Sequence, residues 1–103
     1  MQLDLDQDGY LRNLSDWSPK TAEQLALSVH ITMSSAHWEV IELLRQFYAE
    51  TGVSPAMRIL VKLVKKNLGP EKGNSIYLLT LFPDSPAKLA AKIAGLPRPT
   101  NCL

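Results

Sequence analysis

A thiol is the side chain best suited to exchanging sulfur, and this sequence has one: Cys102, one place before the last residue, Leu103. One cysteine closes no intramolecular disulfide and assembles no structural zinc site. A lone cysteine is ordinarily a small buried hydrophobe, yet chain ends are seldom packed, so its position argues for an accessible sulfur. The thiolate is the reactive form, and an unperturbed cysteine with a pKa of about 8.5 is little ionised at neutral pH. Lys88, Lys92 and Arg98 are near in sequence and favour the anion, while the carboxylate of Leu103 opposes it. The net sign stays open. From Leu96 to Cys102 an extended chain spans about 20 Å at ~3.3 Å per residue, and Pro97 and Pro99 stiffen its base. Such an arm suits a carrier that shows one sulfur to two machines in turn. A stand-alone enzyme instead needs its nucleophile held against fixed donors.

Other constellations carry less. Asp4, Asp6 and Asp8 before Gly9 match the first half of a calcium loop, but the bidentate acid of the twelfth position would fall on Ser15. A turn is the better reading. His30 and His37 have no second ligand at metal spacing and no convincing nucleophile beside them, so neither receives a catalytic role and no metal or cofactor is expected. Arg58, Lys62, Lys65 and Lys66 share one face of a helix, either a solvated stripe or a basic docking face for an acidic partner or a tRNA-binding enzyme. With the preceding helix they outline a helix-turn-helix, but Ser54-Pro55-Ala56-Met57 offers few groups able to read base edges.

The elements that position these residues follow from caps and periodicity. Residues 3–14 alternate around Asp8-Gly9 and predict a β-hairpin or the start of a small meander. Ser18-Pro19 opens a helix to about Ser28, and Ser34 caps a longer one over 35–51 that ends at Gly52. Ser54-Pro55 opens a third, burying Met57, Leu60, Val61, Val64 and Leu68. Asn74 caps a short helix to Leu81, and Ser85-Pro86 opens the last, over 86–94, closed by Gly95. The fold class is therefore α+β and mainly helical: an N-terminal β-hairpin packed on about five helices, with an extended C-terminal arm. Residues 1–103 form one domain, with a globular body over 1–95 and a mobile arm over 96–103. A net charge of +1 excludes a bulk electrostatic grip on nucleic acid or membrane. No apolar run is long enough to span a bilayer, and MQLDLDQDGY lacks the apolar core of a secretory signal. The expected location is cytoplasmic.

The segments DGYL (8–11), HWEVI (37–41), SPAMRILVK (54–62), GPEKGNSIYLLTLFP (69–83), PAKLAAKIAGLP (86–97) and PTNCL (99–103) resemble the DsrC/TusE family over nearly the whole chain. The resemblance implies a helical array with a small β-meander and a projecting arm, and makes Cys102 the reactive residue. Family members that partner dissimilatory sulfite reductase carry a second cysteine eleven positions before the penultimate one, where this chain has Ala91. Without it no internal dithiol/disulfide cycle is available. The resemblance therefore implies the single-cysteine, TusE-like branch: a sulfurtransferase taking persulfide sulfur from a TusBCD-like complex. It would pass that sulfur to an MnmA-like tRNA thiolase for wobble 2-thiouridine, with tRNA met only indirectly. In that role Arg98, Lys92 and Lys88 would steer the arm or stabilise the persulfide. The alternatives are a DsrC-like trafficking or regulatory protein of sulfur oxidation or sulfite reduction, and a helix-turn-helix DNA-binding regulator.

Overall fold

The computed structural model describes residues 3–99. Five helices account for its regular structure: α1 (Pro19–Ser28), α2 (Ser35–Thr51), α3 (Met57–Leu68), α4 (Ser75–Leu81) and α5 (Pro86–Ile93). The central one, α5, touches all four others. Its sequence explains why. Ala87, Ala90, Ala91 and Ala94 recur at helical spacing, and their small side chains let neighbouring helices approach closely. Around them pack Val40, Ile41, Leu44, Leu60, Val64, Leu78 and Phe82, each wholly buried.

Three of the expected caps form. Ser18 Oγ accepts the Thr21 amide ahead of Pro19, and Asn74 Oδ1 accepts the Tyr77 amide at 2.8 Å. Ser34 caps α2, with His37 as its reciprocal partner: Nδ1 accepts the Ser34 amide at 3.1 Å. The other ring nitrogen of His37 lies 2.8 Å from the Leu81 carbonyl, which can only accept, so Nε2 carries the proton. The ring edge also meets Phe82, with centroids 5.2 Å apart. His37 is thus a buried clamp between the start of α2 and the end of α4.

Two expectations are corrected. The N-terminal β-hairpin is absent: the described residues contain no strand, and the fold is all-helical with one isolated antiparallel bridge, Leu5 to Leu11. The turn itself forms, with Asp6 Oδ1 accepting the amides of Asp8 and Tyr10, each at 2.9 Å. Pairing stops because the chain after Arg12 winds into a single 3-10 turn, Leu14–Asp16, and leaves no second strand to extend the ladder. Helix α3 begins at Met57, not at Ser54-Pro55. Ser54 and Pro55 are buried, and Ser54 Oγ donates to the Pro97 carbonyl at 2.5 Å, which diverts the hydroxyl from capping. The segment leading into α3 is thereby tied to the chain that follows α5.

One glycine in the GPEKGNS segment is fixed by proximity. A β-carbon on Gly73 would overlap the backbone of Lys65, so only glycine lets α4 start this close to α3. Lys72 secures the same loop to α2 through Glu39 at 2.8 Å, and that hydrogen bond raises the lysine pKa above its ordinary value.

Candidate functional site

Chemistry-bearing residues gather where α5 ends. Gly95 takes a left-handed φ of +73°, and its α-hydrogen face lies against Trp17 so tightly that a β-carbon would overlap the indole. The Leu96 amide turns back to the Ala91 carbonyl at 2.9 Å, and the Leu96 side chain is 1 % exposed. Trp17 Nε1–H donates to the Ile93 carbonyl at 2.9 Å, and Arg45 donates to the Ala94 carbonyl at 2.6 Å. The last carbonyls of α5 are therefore satisfied by side chains from α2 and from the segment before α1. Beyond them, Ser54 holds Pro97, Pro99 is buried and Arg98 pairs with Asp8 at 3.0 Å. Residues 96–99 thus lie docked on the body. Cys102 lies outside the described residues, three places beyond Pro99, and an extended chain of that length spans about 10 Å.

Beside this root lies a groove of about 470 Å³. Lys88 and Lys92 of α5 and Arg98 line it, so the three cations expected near Cys102 are brought together. Asp8 and Tyr10 form one wall. Tyr10 Oη donates to the Lys88 carbonyl at 3.2 Å, and Lys92 Nζ sits 5.1 Å from the Tyr10 ring centroid. The opposite contributors include His30 and Asp84, the two non-glycine described residues with positive φ, at 63° and 75°. A left-handed backbone costs such residues about 1 kcal/mol or more. Both strained positions fall on this groove. Three cations, Lys88, Lys92 and Arg98, and two carboxylates, Asp8 and Asp84, line it together.

Asp6 sets the groove wall from behind. The Tyr10 amide above all, with the Asp8 amide, the charge of Arg12 and the Gly9 amide, holds its carboxyl below the ordinary value of 3.8 against the opposing effect of burial. The three acids that resembled a calcium loop have separate tasks: Asp4 pairs with Arg12, Asp6 binds amides and Asp8 meets Arg98.

Arg58, Lys62, Lys65 and Lys66 are exposed along α3, and none lines the groove. They form a separate basic face. Sequence reasoning did not foresee the groove itself, because its walls come from five separate stretches. Asp8-Gly9 was legible as a turn, but nothing in the spacing links it to Arg98 ninety residues on. The pairing of Trp17 with Arg45, 3.8 Å from guanidinium carbon to ring centroid, was equally hidden. Ala91, where a second thiol would stand, is wholly buried.

A family model described as DsrC like protein matches residues 1–103. Proteins named Sulfurtransferase TusE are similar along almost the entire sequence. That of Yersinia pestis is 52% identical over 101 residues, covering 98% of this chain and 93% of its own. That of Buchnera aphidicola subsp. Acyrthosiphon pisum is 50% identical over 101 residues, covering 98% and 89%. Among solved structures, Allochromatium vinosum DsrC superposes with a TM-score of 0.88 at 48% identity, over 96% of this chain and 88% of that one. The oxidized gamma-subunit of dissimilatory sulfite reductase from Archaeoglobus fulgidus gives 0.86 at 41% identity, over 100% and 94%.

Proposed function

Since the chain belongs to the DsrC-like protein family, we propose that it is a sulfurtransferase of the TusE kind, carrying sulfur as a persulfide on Cys102 within a relay. The observation that carries this reading is identity of about half the residues with named sulfurtransferases across nearly the full chain. The geometry supports it. Residues 96–99 are anchored, so Cys102 starts from a defined root beside a cationic groove and has about 10 Å of chain with which to meet another molecule.

The chemistry conserves electrons. The Cys102 thiolate attacks the outer sulfur of a donor persulfide, R–S–SH; the donor S–S bond breaks and the donor leaves as a thiolate. Cys102 now bears S–SH. An acceptor thiolate then takes that outer sulfur and returns Cys102 to its thiolate. With Ala91 in place of a second cysteine, no internal disulfide competes. Lys88, Lys92 and Arg98 favour the anionic forms at both stages.

The finer assignment follows the branch. The donor is a TusBCD-like complex, the acceptor an MnmA-like enzyme that thiolates the wobble uridine of tRNA, and the relay runs in the cytoplasm. No described helix is long and apolar enough to cross a membrane. The exposed face of Arg58, Lys62, Lys65 and Lys66 docks acidic surface on a partner.

Incubation with a persulfide donor should add about 32 Da, one sulfur atom, to Cys102, read by intact and peptide mass spectrometry. Cys102→Ser should lose both the gain and onward transfer to the acceptor. Sulfur transfer surviving in that variant would remove the proposal.

A further inference from the structure

A second cleft, of about 450 Å³, opens beside the same terminus of α5 and shares no lining residue with the cationic groove. Trp17, Pro19, Trp38, Glu42 and Arg45 form it. We infer that it is a docking site for the rim of the protein that exchanges sulfur with Cys102, receiving a carboxylate side chain flanked by an apolar one. The inference rests on the sulfur-carrier reading above.

Reach supplies the first argument. With residues 96–99 fixed to the body, about 10 Å of chain separates Pro99 from the thiol. A partner whose reacting atom is recessed in a pocket must therefore bring its rim down onto the body around the root. The cleft is next to that place: Trp17 and Arg45 are bonded to Ile93 and Ala94, at the end of α5 from which the root continues.

Charge supplies the second. Arg45 is half-buried, and burial lowers its pKa below the ordinary guanidinium value. Its guanidinium stacks on Trp17 and gives one hydrogen bond to Ala94, yet no described carboxylate lies within ion-pair distance. A guanidinium has five N–H donors, so planar, oriented donors remain for an incoming carboxylate, the bidentate geometry arginine favours. The half-buried indoles of Trp17 and Trp38 supply the adjoining apolar wall, and tryptophan and arginine are the residue types that dominate interface energetics. Glu42 stands exposed in the same cleft and accepts a donor beside the partner's acid. It also repels a polyanion. One cation next to one acid is a poor grip on RNA, which binds through several phosphates at once.

Trp38→Ala, which removes the apolar wall, and Trp38→Glu, which sets a competing carboxylate beside Arg45, change the cleft without touching the contacts that hold the root. Each is compared with the unchanged chain for sulfur exchange at Cys102, first with the TusBCD-like donor and MnmA-like acceptor, then with inorganic polysulfide, which needs no docking. Thermal melts check the fold. Expected is a fall in kcat/KM of about tenfold, near 1.4 kcal/mol, with at least one protein partner in each variant. The polysulfide rate should stay unchanged. Full rates with both proteins overturn the inference and leave the carrier reading intact. Equal losses with polysulfide also overturn it, because the cleft then acts on the arm itself. Loss of binding to isolated tRNA would reassign the cleft to RNA. Failure of the unchanged chain to take up sulfur from any donor takes down both readings.

Discussion

At Gly95 the chain is held by groups turned in from water: the half-buried Trp17 and Arg45 and the buried Leu96 side chain close the end of α5. At Asp8, on the other side of the same root, it is held by exposed ones. Both members of the Arg98–Asp8 pair keep more than half their side-chain surface in water, and the turn behind them is held by the Asp6 carboxylate, a few backbone hydrogen bonds and the exposed Arg12–Asp4 pair. The inward contacts resist salt and acid, and the exposed ones yield to both. Root and clasp therefore differ in firmness: the first sets where the arm leaves the body, and the second can open without disturbing it.

The contrast breaks most severely at Gly95. In Gly95→Ala a non-glycine residue must keep a φ of +73° and fit a methyl group where the Trp17 ring lies. The expected loss is about 3 kcal/mol of stability, combining left-handed backbone strain with overpacking, measured by urea denaturation. A change under ~1 kcal/mol would show that Trp17 yields freely and the root is soft. Ser54→Ala probes the same root more gently. Losing the bond to Pro97 should cost about 1 kcal/mol and speed hydrogen exchange at residues near 95–98 ahead of the core; uniform exchange would deny a separate root contact. The smallest effect belongs to the clasp. Asp6 titrates below its ordinary value in the folded chain, so its stabilisation is fully present above the unfolded pKa of about 3.9 and lost as pH falls through the folded one. NMR amide shifts of Asp8 and Tyr10 should move together in that acid range while the Trp17 indole N–H stays fixed. Joint movement of all three would erase the distinction between the two regions.

Sequence carried three helix starts through their caps, whereas Ser85 makes no side-chain cap bond ahead of Pro86. Ser18, Ser34 and Asn74 each accept the expected amide. Ser54 looks identical in sequence, but a tertiary acceptor, the Pro97 carbonyl, takes its hydroxyl and α3 starts late. The hairpin failed for a related reason: Asp8-Gly9 specifies a turn, whereas a ladder needs partners on both sides, and the chain after Arg12 turns away. The clustering of Lys88, Lys92 and Arg98 was legible because one helix and its continuation carry them. Asp8, His30 and Asp84 join only through tertiary folding, and the left-handed backbone of the last two has no glycine to announce it. Nothing in the spacing of Trp17 and Arg45 announces that both meet at the end of α5.

The ring of His37 has a consequence for how the body opens. Through its two nitrogens it ties Ser34 to Leu81, segments remote in sequence, and the same ring rests on Phe82. The first turn of α2 cannot fray without also releasing the last turn of α4. These two stretches therefore make one cooperative unit of local unfolding, and a thermal fluctuation that begins at either is felt at the other.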